Sequence, residues 1–414
     1  MKHRSKTPLV GSNGRIGNMG RNGRIGSIGS IGRRDALGLT ALASILALAG
    51  CGGGAGDSVA GVTSGGTGSF STGPITGFGS IIVGAVRFDD TKASSVADVD
   101  DDNTDLRGQL KLGMVVRVKA PAIVGSAADA QTIEVRSELL GPISRVDGAT
   151  LTVLGQTVSV TGNTFFGDGL VGTSSLAVGQ VVEVHGFVDA TNNTITATRI
   201  ERKTLANVKA FKLQGYLRGL LAGRFQIGDL VINASAWAAV PSGLVLANGL
   251  LVRVRLEPTS SAGTRQAISI RAVELEVQDR DQARVGGIVT ALTSNGQLSI
   301  NGVAVDARGA ALPPGLKVGD RVDVQGALVK GVLVPKDIKL DDEKDPLKFE
   351  LNGNVSSLNK TAKTFAVRGV TVDYAAAEFK DGSATSLVDG ARVEVKGVAG
   401  ADGSRIKATR ITFN

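Results

Sequence analysis

Cysteine is almost missing from this chain: Cys51 is the one copy in 414 residues. A single thiol excludes a disulfide framework, a cysteine-based metal site and a catalytic cysteine pair. Histidine occurs twice, as His3 and His185, which leaves little for acid–base chemistry. Aromatics are 4 % of the residues, too few to build stacking platforms for single-stranded nucleic acid. No glycine-rich loop is followed by the Lys-Ser/Thr of a phosphate loop, and no Gly-x-Ser-x-Gly elbow is present. Helical periodicity is nearly absent beyond residue 50. What is plentiful is glycine, 57 residues, about twice the usual share of roughly 7 %. With 42 % hydrophobic residues, this profile suits short Val/Ile/Leu strands joined by glycine turns.

The formal charge of +8 invites a nucleic-acid reading until its position is considered. Residues 1–50 hold eight Lys/Arg against the single acid Asp35, leaving 38 bases and 37 acids beyond them, a net charge of +1. The basicity belongs to the N-terminal segment, whereas a phosphate-binding surface needs cations clustered on the folded part. No nucleic-acid partner is expected, and no cofactor.

Within that segment Arg33-Arg34 precede an apolar run of 14 residues, 36–49, too short at 1.5 Å per residue to cross a hydrocarbon core of about 30 Å. The run ends in Leu48-Ala49-Gly50-Cys51. This resembles a lipoprotein signal, which implies cleavage before Cys51, lipidation of its thiol and acylation of the new amine; two or more acyl chains make a stable membrane anchor. Arg33-Arg34 also resemble a twin-arginine signal, though Asp35-Ala36-Leu37 only partly match its continuation, and both export routes stay open. Residues 11–32 repeat Gly-Arg-Ile-Gly and Ser-Ile-Gly units, and either Met1 or Met19 can serve as the start. Residues 51–72 are rich in Gly, Ser and Thr and read as a flexible tether. Gly52, rather than Asp, follows the cysteine; in a two-membrane envelope this favours the outer membrane, facing the periplasm or the exterior.

The rest of the chain is repetitive. Leu110-Lys111-Leu112-Gly113, leading to Val116 and Val118, recurs as Leu176-Ala177-Val178-Gly179, Leu246-Ala247-Asn248-Gly249, Leu316-Lys317-Val318-Gly319 and Leu387-Val388-Asp389-Gly390, each leading to alternating valines. The leucines are 66, 70, 70 and 71 residues apart. Five units follow: 73–137, 138–204, 211–276, 283–341 and 349–414. The chain must reverse at each turn glycine, which predicts φ > 0 there. In the second unit Leu151-Thr152-Val153-Leu154 and Val158-Ser159-Val160 flank Gly155-Gln156, read as a hairpin turn. Val182 and Val184 alternate with Glu183, and Ile195 to Ile200 close the unit. Five or six short antiparallel strands per unit avoid open edges by closing into a barrel. The expected fold class is all-β, a string of small antiparallel barrels, each owning its core.

The opening Gly73-Pro74-Ile75-Thr76-Gly77-Phe78, the Leu-x-x-Gly-x-x-Val-x-Val strands and the Ala-Thr-Arg-Ile closers resemble bacterial lipoproteins with domain-of-unknown-function 5666 repeats. The third unit departs most, with Asn248 in its turn and with Tyr216 and Trp237. That resemblance implies small closed barrels similar to oligonucleotide/oligosaccharide-binding folds and an envelope address; it implies no activity.

Two features remain as candidate chemistry. His185 directly follows the alternating strand of the second unit, with no second histidine or paired carboxylate to make it catalytic. Asp98, Asp100, Asp101, Asp102 and Asp105, with Asn103, form the one dense cluster of oxygen ligands. An EF-hand loop starting at Asp98 would need Gly and Glu where Asn103 and Gln109 stand, so calcium is at most loosely held and a solvated acidic loop is the simpler reading. The expected function is non-enzymatic: a membrane-anchored extracytoplasmic binding or structural protein whose partner is an envelope protein or polymer. The alternative is a calcium-dependent adhesin or carbohydrate-binding protein that uses the acidic loop.

Overall fold

The turn glycines organise every unit in the same way. In the computed structural model, which describes residues 68–100, 104–167, 169–189, 192–234, 238–259, 263–273, 278–341 and 346–414, Gly113, Gly179, Gly249, Gly319 and Gly390 have φ of 80°, 89°, 85°, 95° and 91°. Each amide donates to a carbonyl at the start of its own unit: Gly113 to Ile75, Gly179 to Ile143, Gly249 to Leu217, Gly319 to Val289 and Gly390 to Val355, all at 2.7–2.9 Å. The left-handed turn therefore pins the entry of one strand against another and sets the register of the valines behind it. Cys51, the apolar run before it and the tether as far as residue 67 lie outside the described residues.

Barrel 2 shows the plan. Its strands are Leu139–Asp147, Thr150–Val153, Gln156–Ser159, Val181–Val188 and Ile195–Lys203. The first three form a meander. The third pairs with the fifth in parallel, Val158 opposite Ile195, and the fourth lies antiparallel between the fifth and the first. The spatial order 1-2-3-5-4-1 closes the sheet, as in the oligonucleotide/oligosaccharide-binding architecture. Barrels 3, 4 and 5 close through the same parallel contact, at Val231–Thr264, Ala304–Val332 and Val372–Ile406. In barrel 1 the closing strand is split into Ala127–Asp129 and Thr132–Val135, each paired in parallel. The expectation of wholly antiparallel units is corrected at this closing pairing, because a five-stranded ring with these connections cannot alternate throughout, and in barrels 2 and 5 at a second short parallel contact, Phe165–Arg199 and Glu378–Arg410.

The hairpin turn of barrel 2 also moves by one residue. Val153 faces Gln156, so the turn is Leu154-Gly155, with φ of 48° and 70°, the double positive-φ geometry that matches strand twist. Leu154 tolerates it because its side chain is buried over Gly141. A second device repeats in the fourth strands. The register shifts at His185/Gly186, Gln325/Gly326 and Lys396/Gly397, and a Cβ at Gly186 would stand 2.2 Å from the carbonyl of Thr196. Glycine permits this bulge, which bends the strand around a small barrel.

The barrels do not each own a core. The first strand of barrel 1, Ser69–Phe78, pairs in parallel with Arg280–Leu292 of barrel 4 and Lys348–Asn359 of barrel 5. One apolar cluster runs through barrels 1 and 5, with Phe165 of barrel 2 edge-on to Phe349 at 4.7 Å. A second joins barrels 2 and 3, whose first strands pair at Lys212–Leu140, and a third fills barrel 4 with Phe70 of barrel 1. Small barrels expose outward-facing apolar residues, and burying these against neighbours joins the cores.

Candidate binding clefts

The acidic stretch of barrel 1 sits where barrels 1 and 3 meet. Asp98 Oδ2 accepts from Lys212 Nζ at 2.6 Å. Asp100 takes two hydrogen bonds from Arg253, one of them from Nε at 2.8 Å. Both cations alternate with core residues on strands Phe211–Tyr216 and Leu251–Leu256. Asp105 is exposed and accepts from the Arg107 amide at 3.0 Å, while Asp101 and Asp102 lie outside the described residues. Asp98 and Asp100 are thus brought together on cations rather than around a shared centre. Among the described residues no group of three His, Cys, Asp or Glu is placed to hold a metal ion.

Arg253 also donates to the carbonyl of Ser137 at 2.6 Å and to Gln214 Oε1. Burial works against its charge, but Asp100 more than offsets that and raises its pKa. The Asp100 carboxyl is held below its ordinary range because Arg253 outweighs the effect of burial. Beside them lies Glu138, 6 % exposed, whose Oε2 has no hydrogen-bond partner. Burial, with the nearby charge of Asp100, pushes its pKa up to about 7 against the pull of Arg253 and Arg136.

His185 is buried at 1 % exposure in the same region. Its equivalents Gln325 and Lys396 are exposed, so the position faces out of its barrel and in barrel 2 meets barrel 1 at Arg136. Nδ1 lies 3.0 Å from the carbonyl of Arg136 and must be the donor; burial lowers the ring's pKa against the pull of Glu183 and Glu201. A polar cleft of about 1030 Å³ opens nearby, and each of its three carboxylates, Asp98, Glu183 and Glu201, is met by a lysine. Lys203 bridges Glu183 and Glu201 at 2.8 Å each, and Lys111 stands 3.3 Å from Glu201. Burial opposes ionisation of Glu201, yet Arg199 and Lys203 outweigh it and hold the carboxyl well below its usual range.

A different cleft, of about 640 Å³, opens where barrels 1, 4 and 5 meet beside Phe187 of barrel 2. Its walls are mainly apolar, with Pro74, Ile82, Val322, Phe349 and Val398, and its hollow is left by Gly73 and Gly286. A Cβ at Gly286 would meet nothing nearer than the carbonyl of Thr72 at 3.7 Å. Ion pairs stitch the surroundings: Arg87–Glu350 at 2.6 Å joins barrel 1 to barrel 5, and Arg284–Asp323 at 2.8 Å lies within barrel 4. Volume, apolar lining and a place between domains fit a small-molecule site. Sequence reasoning missed this cleft and also Lys212, Arg253 and Glu138. The available signal was a charged residue or a glycine at an outward strand position, repeated in register between units.

Three stretches, 141–201, 286–339 and 352–412, match the family described as Domain of unknown function (DUF5666). The chain carries tandem DUF5666 repeats. The matches fall on barrels 2, 4 and 5, and barrels 1 and 3 share the closure without being matched. No curated protein matches the chain. Among solved structures it is similar to drosophila Unr CSD456, at 16 % identity over 50 % of this chain and 98 % of that chain, with a TM-score of 0.14; at that score the similarity carries no argument.

Proposed function

We propose that this DUF5666-repeat protein is a non-enzymatic, extracytoplasmic binding protein held to the membrane, in a two-membrane envelope the outer one, by lipid on Cys51. The five-barrel body takes a small ligand in the apolar cleft between barrels 1, 4 and 5. The glycine-floored cleft carries this reading. Strand pairing and ion pairs from three barrels surround a mainly apolar hollow that their side chains do not fill, whereas the cleft at the junction of barrels 1–3 is lined by charged groups. The calcium-dependent alternative gains nothing from the acidic loop, since Asp98 and Asp100 already face Lys212 and Arg253.

Two measurements test the two halves. Cys51→Ser should leave the membrane fraction or remain uncleaved; a variant that still sediments at mature size sinks the anchor. For the cleft, the Cys51→Ser chain with and without Gly286→Leu is incubated with envelope extract, and the retained small molecules are compared by mass spectrometry. A compound held only by the unplugged chain is expected, and identical retention refutes the site.

A further inference from the structure

Charge around the apolar cleft is almost fully paired. Glu350 is met by Arg87, Asp323 by Arg284, Glu378 by Arg410 and Lys396 by Glu394 at 2.7 Å, and Arg321 has a partner as well. Among the described residues on the lining, Lys348 is the one charged side chain for which the structure records neither an ion pair nor another interaction. It is exposed and precedes Phe349, which is buried. A lysine stem lies along apolar surface and keeps its ammonium in water, so Lys348 puts an unneutralised positive charge at the mouth of an apolar hollow.

We propose that the ligand is a single-chain anionic amphiphile, its alkyl chain in the cleft and its acid group on the Lys348 ammonium. This rests on the cleft reading above and adds the class of ligand. The apolar walls supply affinity through area removed from water. Lys348 sets the sign of the head group, because among the described residues no acid pairs with it and the ligand brings one. The volume of about 640 Å³ lies within the roughly 300–1,000 Å³ of small-molecule sites, which suits one chain. A free acid and the head group of a membrane lipid share this chemistry, and the test separates them.

Titration calorimetry on the detergent-free Cys51→Ser chain compares decanoate, decanol and phosphatidylglycerol vesicles. Decanoate should bind one to one and at least 10-fold more tightly than decanol. Lys348→Glu should weaken decanoate by 10-fold or more while leaving decanol unchanged. Gly286→Leu should abolish both while circular dichroism and melting stay as before. Equal binding of decanoate and decanol, indifferent to Lys348→Glu but lost in Gly286→Leu, overturns the anionic ligand and leaves the cleft reading standing. Binding that Gly286→Leu does not touch overturns both. Heat from vesicles without heat from decanoate, or no binding of either small molecule, also overturns the proposal.

Discussion

The junction of barrels 1, 2 and 3 and the cleft between barrels 1, 4 and 5 are built from the same part, the outward face of a strand in a small closed barrel. At the first, outward positions carry Lys212, Arg253, Glu183, His185 and Glu201, and packing sets the charged ones against Asp98, Asp100 and Lys203. At the second, outward positions are Gly73 and Gly286, and packing leaves a hollow. Charges of opposite sign meeting between barrels fix a junction's geometry and line its cleft with polar groups. Missing side chains leave an apolar cleft. The difference separates a structural seam from a place where something else fits, although the seam is richer in groups that look like chemistry.

If the charged junction is a seam, breaking it should cost the most. Arg253→Met leaves Asp100 buried without its cation, so we expect a loss of about 3–5 kcal/mol, the range for removing one partner of a buried pair. The double variant Arg253→Met/Asp100→Leu should recover most of it; denaturant unfolding of both reads this out, and a loss under 1 kcal/mol for the single variant would mean the pair does not hold the barrels together.

The second test uses pH. Glu138 is raised to about 7, above the usual value near 4.3 for an unfolded chain. Between these values the folded state binds more protons than the unfolded state, so stability falls as pH rises from about 4.5 to 7. Glu201 acts the other way: its lowered pKa contributes stability above the ordinary carboxylate range that is lost as pH falls through it. Glu138→Gln should remove the decline toward neutral pH, a gain of order 3 kcal/mol at pH 8, and leave the acid-side loss. Parallel stability–pH curves for variant and parent would show that Glu138 does not titrate near 7.

The smallest effect sharpens the contrast within one kind of turn. Gly179 has open space around it, whereas a Cβ at Gly113 would stand 2.4 Å from the carbonyl of Thr198 in barrel 2. Gly179→Ala should cost only backbone strain, about 1–2 kcal/mol, and Gly113→Ala measurably more, because its turn is also a contact of the seam. Gln180→Glu, on the same turn, should stay within about 0.5 kcal/mol. Equal melting shifts for the two glycine variants would mean that Gly113 lies free of barrel 2.

The repeat itself was legible from residue types. The five turn glycines, the valines behind them and the closing strands follow from spacing, since a reversal needs positive φ and a half-buried strand alternates. The hairpin at Leu154-Gly155 was misplaced by one because leucine seldom takes that conformation; burial over Gly141 allows it. His185 read as an unaccompanied histidine, and its neighbours Glu183 and Glu201 became meaningful only once strands Val181–Val188 and Ile195–Lys203 lay side by side.

By itself the sequence determined the all-β class, the five-fold repetition and the turn conformations, because these depend on contacts within some 70 residues and on the backbone limits of glycine. Which outward faces meet was decided only by the tertiary structure. Asp100 and Arg253 stand 153 residues apart, and Pro74 and Phe349 share a cleft through strands from different repeats. No local rule pairs such residues, since every barrel presents similar outward faces and the choice among them rests on the sum of many weak apolar and ionic contacts.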